Sequence, residues 1–354
     1  MTNRCPDRKS SCAVDLASEP SLRRRTLVKS IAALAGSVGL SGLNVKPATA
    51  EPPLETTRIR MVKGAGICTA PQYLAEELLH TEGFTDIEYV AERDEVGTSK
   101  LVARGEADVN MSFAAPLLIR VEAGEPVVIL GGVHVGCYEL FGTERVRAIR
   151  DLRGKSVAIP GRDSSHHLYL SSMVSYVGLD PRRDINWIIA SLADAKQLLA
   201  EGKVDAYLAF APDPQEMRAK HIGHVVVNSS LDRPWSQYFC CMVAGNREFV
   251  KIHPVATKRM LRAILKATDL CAAEPRRVAQ FLVDRNYIRN YDLALQSMQE
   301  ISYRTWRDYN PEDTVRFYSL RLQEVGMIKS TPQKIIAQGT DWRFLNELKK
   351  ELKA

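Results

Sequence analysis

The sequence predicts an α/β protein made of two doubly wound lobes. Strand-like and helix-like patterns alternate from Arg58 onward, which is the signature of repeated βα units. The alternation stops after residue 135 and restarts at residue 155, so there are two runs rather than one. Beyond Asn246 the pattern is almost wholly helical.

Each element has a local reason. "RIRMV" (58–62) reads as a strand. "APQYLAEELLHTEG" (70–83) reads as a helix, with Pro71 where a missing N–H costs nothing and Gly83 past its end. A strand at 87–92, a short helix at 98–106, a strand at 107–112 and a helix at 114–124 follow. "PVVILGGVHV" (126–135) is apolar almost throughout, as a strand covered on both faces should be. The second run has strands at 155–160, 184–190 and 204–210, with helices at 165–178 and 192–202. A turn with Pro212 and Pro214, a helix, and strands at 224–229 and 237–245 complete it. "NELKKELKA" (346–354) reads as the solvated end of an amphipathic helix.

The first 50 residues read as an export leader. Arg24 and Arg25 precede the modestly apolar run Ile31–Leu43, which is too short to span a bilayer. Ala48 and Ala50 form a small-residue cleavage pattern, and R-R-x-L-V-K resembles a twin-arginine signal. The expected product is Glu51–Ala354 in the periplasm. The net charge of +6 resides mainly in the leader, so no basic patch marks the rest for nucleic acid. Five cysteines follow the leader: Cys68, Cys137, Cys240, Cys241 and Cys271. None forms a C-x-x-C pair. Cys240 and Cys241 are neighbours in a strand and are expected to point to opposite faces. Buried free thiols are the simplest reading, and one disulfide remains open.

Ligands of doubly wound sheets bind outside the carboxyl ends of strands, beside helix N-termini. Four such ends carry polar residues. "GAGICTAPQ" (64–72) offers Cys68, Thr69 and Gln72. "MSFAAP" (111–116) offers Ser112 and Ala114. "IPGRDSSHH" (159–167) offers Asp163, Ser164, Ser165, His166 and His167. "FAPDPQE" (210–216) offers Asp213 and Glu216. Each alone is explained as well by helix capping; four facing one cleft would be a site. Asp213 and Glu216 would call for a cationic or N–H-rich ligand group if they face it, and are otherwise solvated. Tyr138, Trp235 and Tyr238 either stack on a planar ligand or pack a hinge.

Other chemistries fit less well. His166 and His167 are adjacent on a helix and diverge by about 100°, and no H-E-x-x-H spacing occurs, so no metal site is assigned. There is no G-x-S-x-G and no P-loop. "GAGICT" begins like a dinucleotide fingerprint, but Thr69 occupies the third glycine position, where close helix–strand packing is needed. No cofactor is expected.

Several segments together resemble one known family. They are "LVARGEADVNMSFAAPLLIRVEAGEPVVILGG" (101–132), "IRDLRGKSVAIPGRDSSHHLYLSSMVSYVGLDPRRDINWI" (149–188), "LLAEGKVDAYLAFAPDP" (198–214) and "REFVKIHPVATKRMLRAILKATDLCAAEP" (247–275). In order and spacing these are similar to the solute-binding proteins of nitrate/sulfonate/taurine-type ABC importers, including the NMT1/THI5-like pyrimidine binders. The resemblance implies a type II periplasmic-binding fold. Its lobes would be 51–137 plus 236–354 and 138–235, hinged near 134–140 and 236–242. It also implies a monomer that closes on a small anionic or zwitterionic solute and hands it to a membrane permease, without catalysis. The implied ligand positions are Cys68, Thr69, Gln72, Ser112, Ala114, Ser164, Ser165, His166, Asp213 and Tyr238. A ligand sensor, or an exported enzyme on the same fold, is the alternative.

Overall fold

The computed structural model describes residues 51–64, 66–91 and 97–353. The leader and its cleavage pattern lie outside them. Among the described residues no helix is long and apolar enough to cross a membrane.

The first run forms β1 (Arg58–Lys63), α1 (Ala70–Thr81), β2 (Asp86–Ala91), α2 (Ser99–Ala103), β3 (Val109–Phe113), α3 (Ala114–Glu122) and β4 (Val127–Val135). A strand not foreseen from the sequence, β5 (Tyr138–Gly142), follows at once. The second run then gives β6 (Lys155–Ile159), α4 (Ser165–Tyr176), β7 (Ile185–Ile189), α5 (Leu192–Ala200), β8 (Ala206–Phe210), α6 (Asp213–Ala219) and β9 (His224–Asn228). After β10 (Phe239–Asn246) come α7 (Arg247–Ile252), α8 (Pro254–Ala273), α9 (Pro275–Asp284), α10 (Tyr291–Glu300), α11 (Pro311–Glu324), α12 (Pro332–Gly339) and α13 (Arg343–Glu351).

The strands form two five-stranded sheets, ordered β2-β1-β3-β10-β4 and β7-β6-β8-β5-β9. The orders correspond place for place. In each, three strands pair in parallel, and the fourth place is taken by an antiparallel strand arriving from the other run: β10 in the first sheet, β5 in the second. The same aspartate fixes both repeats. Asp108, before β3, accepts from the backbone N–H of Arg60 on β1 at 2.7 Å. Asp205, before β8, accepts from the N–H of Ser156 on β6 at 2.9 Å. These are the aspartates of "GEAD" and "GKVD". Every residue of β3, β4 and β10 is buried, which explains their largely apolar character; Asn110, Ser112, His134 and Asn246 are the buried polar exceptions.

The crossing from β4 to β5 is only Gly136 and Cys137, both at positive φ, 76° and 112°. A Cβ on Gly136 would collide with Ser230, so the crossing requires glycine there. Ser229 locks the return path, its hydroxyl accepting from Tyr138 N at 3.0 Å and donating to Tyr138 O at 2.7 Å. An aromatic cluster fills the space beside both crossings. Phe113, Tyr138, Tyr169 and Tyr318 meet largely edge-on, with Phe113–Tyr169 centroids 4.6 Å apart. Tyr318 belongs to α11, so the helical tail packs against α3 and α4, one helix from each run.

Candidate functional site

Between the two sheets lies a cavity of about 290 Å³, at the small end of ligand pockets. Four helices begin at its wall. Thr69 precedes α1, Phe113 precedes α3, Ser164 caps α4 and Leu192 opens α5; all four residues line the cavity. No side chain caps α1 or α3. Their first N–H groups and the positive ends of their dipoles suit an acceptor or anion. Tyr138, Phe113, Phe210, Met111 and Leu192 give the rest of the wall an apolar, largely aromatic character. Among the described residues no Lys, Arg, Asp or Glu lines it.

The first-sheet wall is held from behind. Tyr73 grips the loop after β1, its hydroxyl donating to Gly64 O at 2.9 Å and accepting from Gly64 N at 3.1 Å. Thr69 closes the same loop through its hydroxyl bond to Gly66 O, 2.7 Å. A Cβ on Gly66 would stand 2.8 Å from the Phe210 ring, so this glycine lets the two sheets' loops approach. Ser112 lies buried in the wall, donating to Phe113 O at 3.1 Å.

On the second-sheet side the two adjacent histidines divide their work. Asp163 takes a positive φ of 66°, which turns its N–H onto His167 Nδ1 at 3.1 Å. Ser164 then accepts from His167 N at 3.2 Å. His167 therefore builds the knuckle; its ring packs edge-on to Trp187, and burial pushes its pKa down to about 4. His166 faces the cavity, between Tyr138, Tyr207 and Phe210. Burial pushes its pKa down to about 3, so it is neutral near pH 7, and its Nε2 has no hydrogen-bond partner among the described residues. The half-buried Ser165 also lines the cavity.

Of the ten positions named from sequence, Cys68, Thr69, Ser112, Ser164, Ser165 and His166 come together around this cavity. Gln72, Ala114, Asp213 and Tyr238 do not line it. The Gln72 amide is spent as a clamp, donating to Val62 O at 2.5 Å and accepting from Met111 N at 3.1 Å. Ala114 is fully buried at the start of α3. Asp213 and Glu216 both accept from Lys196 Nζ at 2.8 Å. Burial pushes the Asp213 carboxyl up against the pull of Lys196, while Lys196 and Lys220 hold Glu216 down. Tyr238 stacks on Phe317 with centroids 3.9 Å apart. Sequence reasoning did not find Thr98, Met111, Phe113, Pro160, Leu192, Phe210 or Cys241, which also line the cavity. The apolar ends of β3 and β8 carried that signal.

The expectation for Cys240 and Cys241 is corrected. The β10–β4 register shifts on both sides of Cys241, and this irregularity breaks the alternation of faces. Cys240 Sγ lies 3.3 Å from Cys137 Sγ, and Cys241 interacts with Cys137, Cys240 and Cys68. All five described cysteines are free and buried.

A polar latch spans the outside of the cleft. Arg218 on α6 pairs with Glu139 on β5 and with Glu300 on α10, the latter at 2.6 Å. Gln215 reaches Glu300 as well, at 2.8 Å. Burial pushes the Glu139 carboxyl up, and Arg218 opposes that shift.

Comparison with known proteins places this geometry. The sequence profile described as NMT1/THI5 like matches residues 70–278. The chain belongs to the NMT1/THI5-like family. Curated relatives within reach include a 4-amino-5-hydroxymethyl-2-methylpyrimidine phosphate synthase of Saccharomyces cerevisiae, THI13. It is 23% identical over 249 residues, covering 65% of this chain and 72% of that protein. The Candida albicans synthase of the same name is 22% identical, covering 68% and 78%. Among solved structures, the periplasmic nitrate-binding protein NrtA from Synechocystis PCC 6803 superposes with a TM-score of 0.70 at 16% identity, over 85% of this chain and 90% of that one. The alkanesulfonate-binding protein SsuA from Xanthomonas axonopodis pv. citri gives 0.64 at 16%, over 82% and 100%. This NMT1/THI5-like chain thus has the type II periplasmic-binding-protein fold.

Proposed function

We propose that this protein is the exported solute-binding component of an ABC importer. It captures a small organic solute between its lobes, 51–137 plus 236–354 and 138–235, and delivers it to a membrane permease. The observation that carries this reading is the cavity itself. It is lined from both sheets, four helices start at its wall, and it has an aromatic body without charged side chains among the described residues. The acceptor end of the solute, a carboxylate, sulfonate or ring nitrogen, sits at the N-termini of α1 and α3 beside Thr69 and Ser112. Its planar or apolar body lies between Tyr138, Phe210 and His166, with Ser164 and Ser165 at the second wall. Closure about the 134–140 and 236–242 crossings brings the walls together, and the solute shifts the population toward the closed form by binding it better. The protein acts as a monomer, without nucleic acid.

Sulfonates, nitrate and aminopyrimidines are the solutes to try first, since the similar proteins are named for nitrate, alkanesulfonates and a pyrimidine phosphate. The test is calorimetric titration of the purified protein with each. Saturable one-to-one binding that is strongly weakened on replacing Phe210 and modestly on replacing Ser165 supports the reading; absence of binding across the panel overturns it. The synthase names favour a second reading, an enzyme on the same fold. Mass spectrometry of the bound solute after long incubation separates the two: a carrier returns it unchanged, and an enzyme consumes it.

A further inference from the structure

The floor of the cavity holds a group of side chains that the solute reading does not use. Cys68 comes from the loop after β1, His134 from the end of β4, Cys137 from the crossing, and Cys240 and Cys241 from β10. One ligand atom each from Cys68, His134 and Cys137 lie within 4.8 Å of one another. Cys241 interacts with both of those cysteines and, like Cys68, lines the cavity. All of these side chains are buried.

The decisive feature is His134. Its side chain is fully buried, yet neither ring nitrogen has a hydrogen-bond partner among the described residues. A buried imidazole left without partners costs free energy that folded proteins seldom leave uncompensated. Here the atoms at hand are sulfurs. Tyr303 packs edge-on against the ring, at 5.3 Å between centroids, and fixes its place without satisfying it.

We propose that Cys68, His134, Cys137 and Cys241 form a binding site for a thiophilic metal cation, Zn(II) or Cu(I). Thiolates with an imidazole are the donor set such soft or borderline cations prefer. A tetrahedral ion about 2.3 Å from sulfur and about 2.0 Å from nitrogen holds its donors roughly 3.3–3.8 Å apart. The spacing of Cys68, His134 and Cys137, up to 4.8 Å, therefore needs these three donors to draw in by about 1–1.5 Å. Each coordinated thiol gives its proton to solvent, so uptake weakens as pH falls. The irregular register at Cys241 and the positive φ of Cys137 are what bring three cysteines from three segments to one point.

The test uses the purified protein, reduced and stripped of metal under anaerobic conditions. It is titrated with Zn(II) and with Cu(I) against competing chromophoric chelators, and with Co(II) as a spectroscopic probe. The expected result is uptake of one equivalent, with a thiolate-to-cobalt charge-transfer band and proton release. Cys137→Ser and His134→Leu should each weaken uptake by about 100-fold or more, beyond the usual loss of an outer-shell partner. Cys271→Ala, outside the cluster, should change nothing. Circular dichroism checks that the variants are folded, and the cobalt spectrum of the unaltered protein does not depend on them. Failure of the folded, reduced protein to take up any of the three ions overturns the proposal. So does uptake that survives both substitutions, or a stable Cys137–Cys240 disulfide that forms in place of metal binding. Solute titration of the metal-free protein is a separate readout, so loss of the metal site leaves the solute reading standing.

Discussion

Two strand ends in the second sheet look alike in sequence and behave differently. After β6 the chain reads "IPGRDSSHH", and after β8 it reads "FAPDPQE". Each has an apolar strand, a proline, an acid and a helix start. After β6, the positive φ of Asp163 and the Ser164 cap fold the polar groups into a knuckle that presents Ser165 and His166 to the cavity. After β8, the polar groups turn to Lys196 on α5, and only Phe210 faces the cavity. A partner supplied by another element decides whether a polar strand end is a binding wall or a buttress. Local sequence does not contain that partner.

The comparison can be broken most severely at Phe210. Phe210→Ala removes the aromatic wall that closes on both Gly66 and His166, and solute affinity should fall by about 30-fold or more, the loss of a ≥2 kcal/mol anchor. Calorimetry on the solute found by screening measures it. At the buttress, Lys196→Ala leaves Asp213 partly buried without its partner. Stability should drop by about 1–3 kcal/mol in urea unfolding, with solute affinity unchanged. If affinity falls with stability, the two strand ends are not separate in function.

The histidines of the knuckle sharpen the comparison through pH. Burial lowers both pKa values, to about 3 for His166 and about 4 for His167. The unfolded chain takes up these protons first, as pH falls below its ordinary value of about 6.5. Stability is therefore complete above that value and is lost on acidification toward pH 4, by about 1.4 kcal/mol per pH unit for each histidine. Urea midpoints between pH 4.5 and 7.5 should show this slope, and His166→Phe should reduce it by about half. The smallest effects on affinity are at Ser165 and Asp213. Ser165→Ala should cost about 0.5–1.5 kcal/mol of solute affinity, one hydrogen bond, and Asp213→Ala should cost less than that.

Most of the alternation was legible because βα units write their period into the chain. Strands such as β4 are apolar on both faces, and helix α1 carries its proline near the start. β5 was not legible, because it follows β4 after two residues and pairs with β8 and β9, which come later in the chain. Six of the ten named site positions meet at one cavity, since strand ends beside helix starts are where this topology opens. Gln72 and Asp213 lie off the cavity for one reason. A buried polar residue at a strand end can serve the backbone or an ion pair as readily as a ligand, and Val62, Met111 and Lys196 were already waiting for them. The thiol cluster was hidden for another. It depends on a register shift in β10, and alternation rules assume there is none.

The most direct test of the central claim is thermal unfolding of the purified protein against a panel of sulfonates, carboxylates, nitrate and aminopyrimidines. The account predicts that one small organic solute stabilises the protein, by about 2.7 kcal/mol at 100 times its Kd. That gain should persist in Asp213→Ala and fall to about 0.9 kcal/mol or less in Phe210→Ala at the same solute concentration. A gain undiminished in Phe210→Ala, or no gain with any solute of the panel, would contradict the placement of the site between the two sheets.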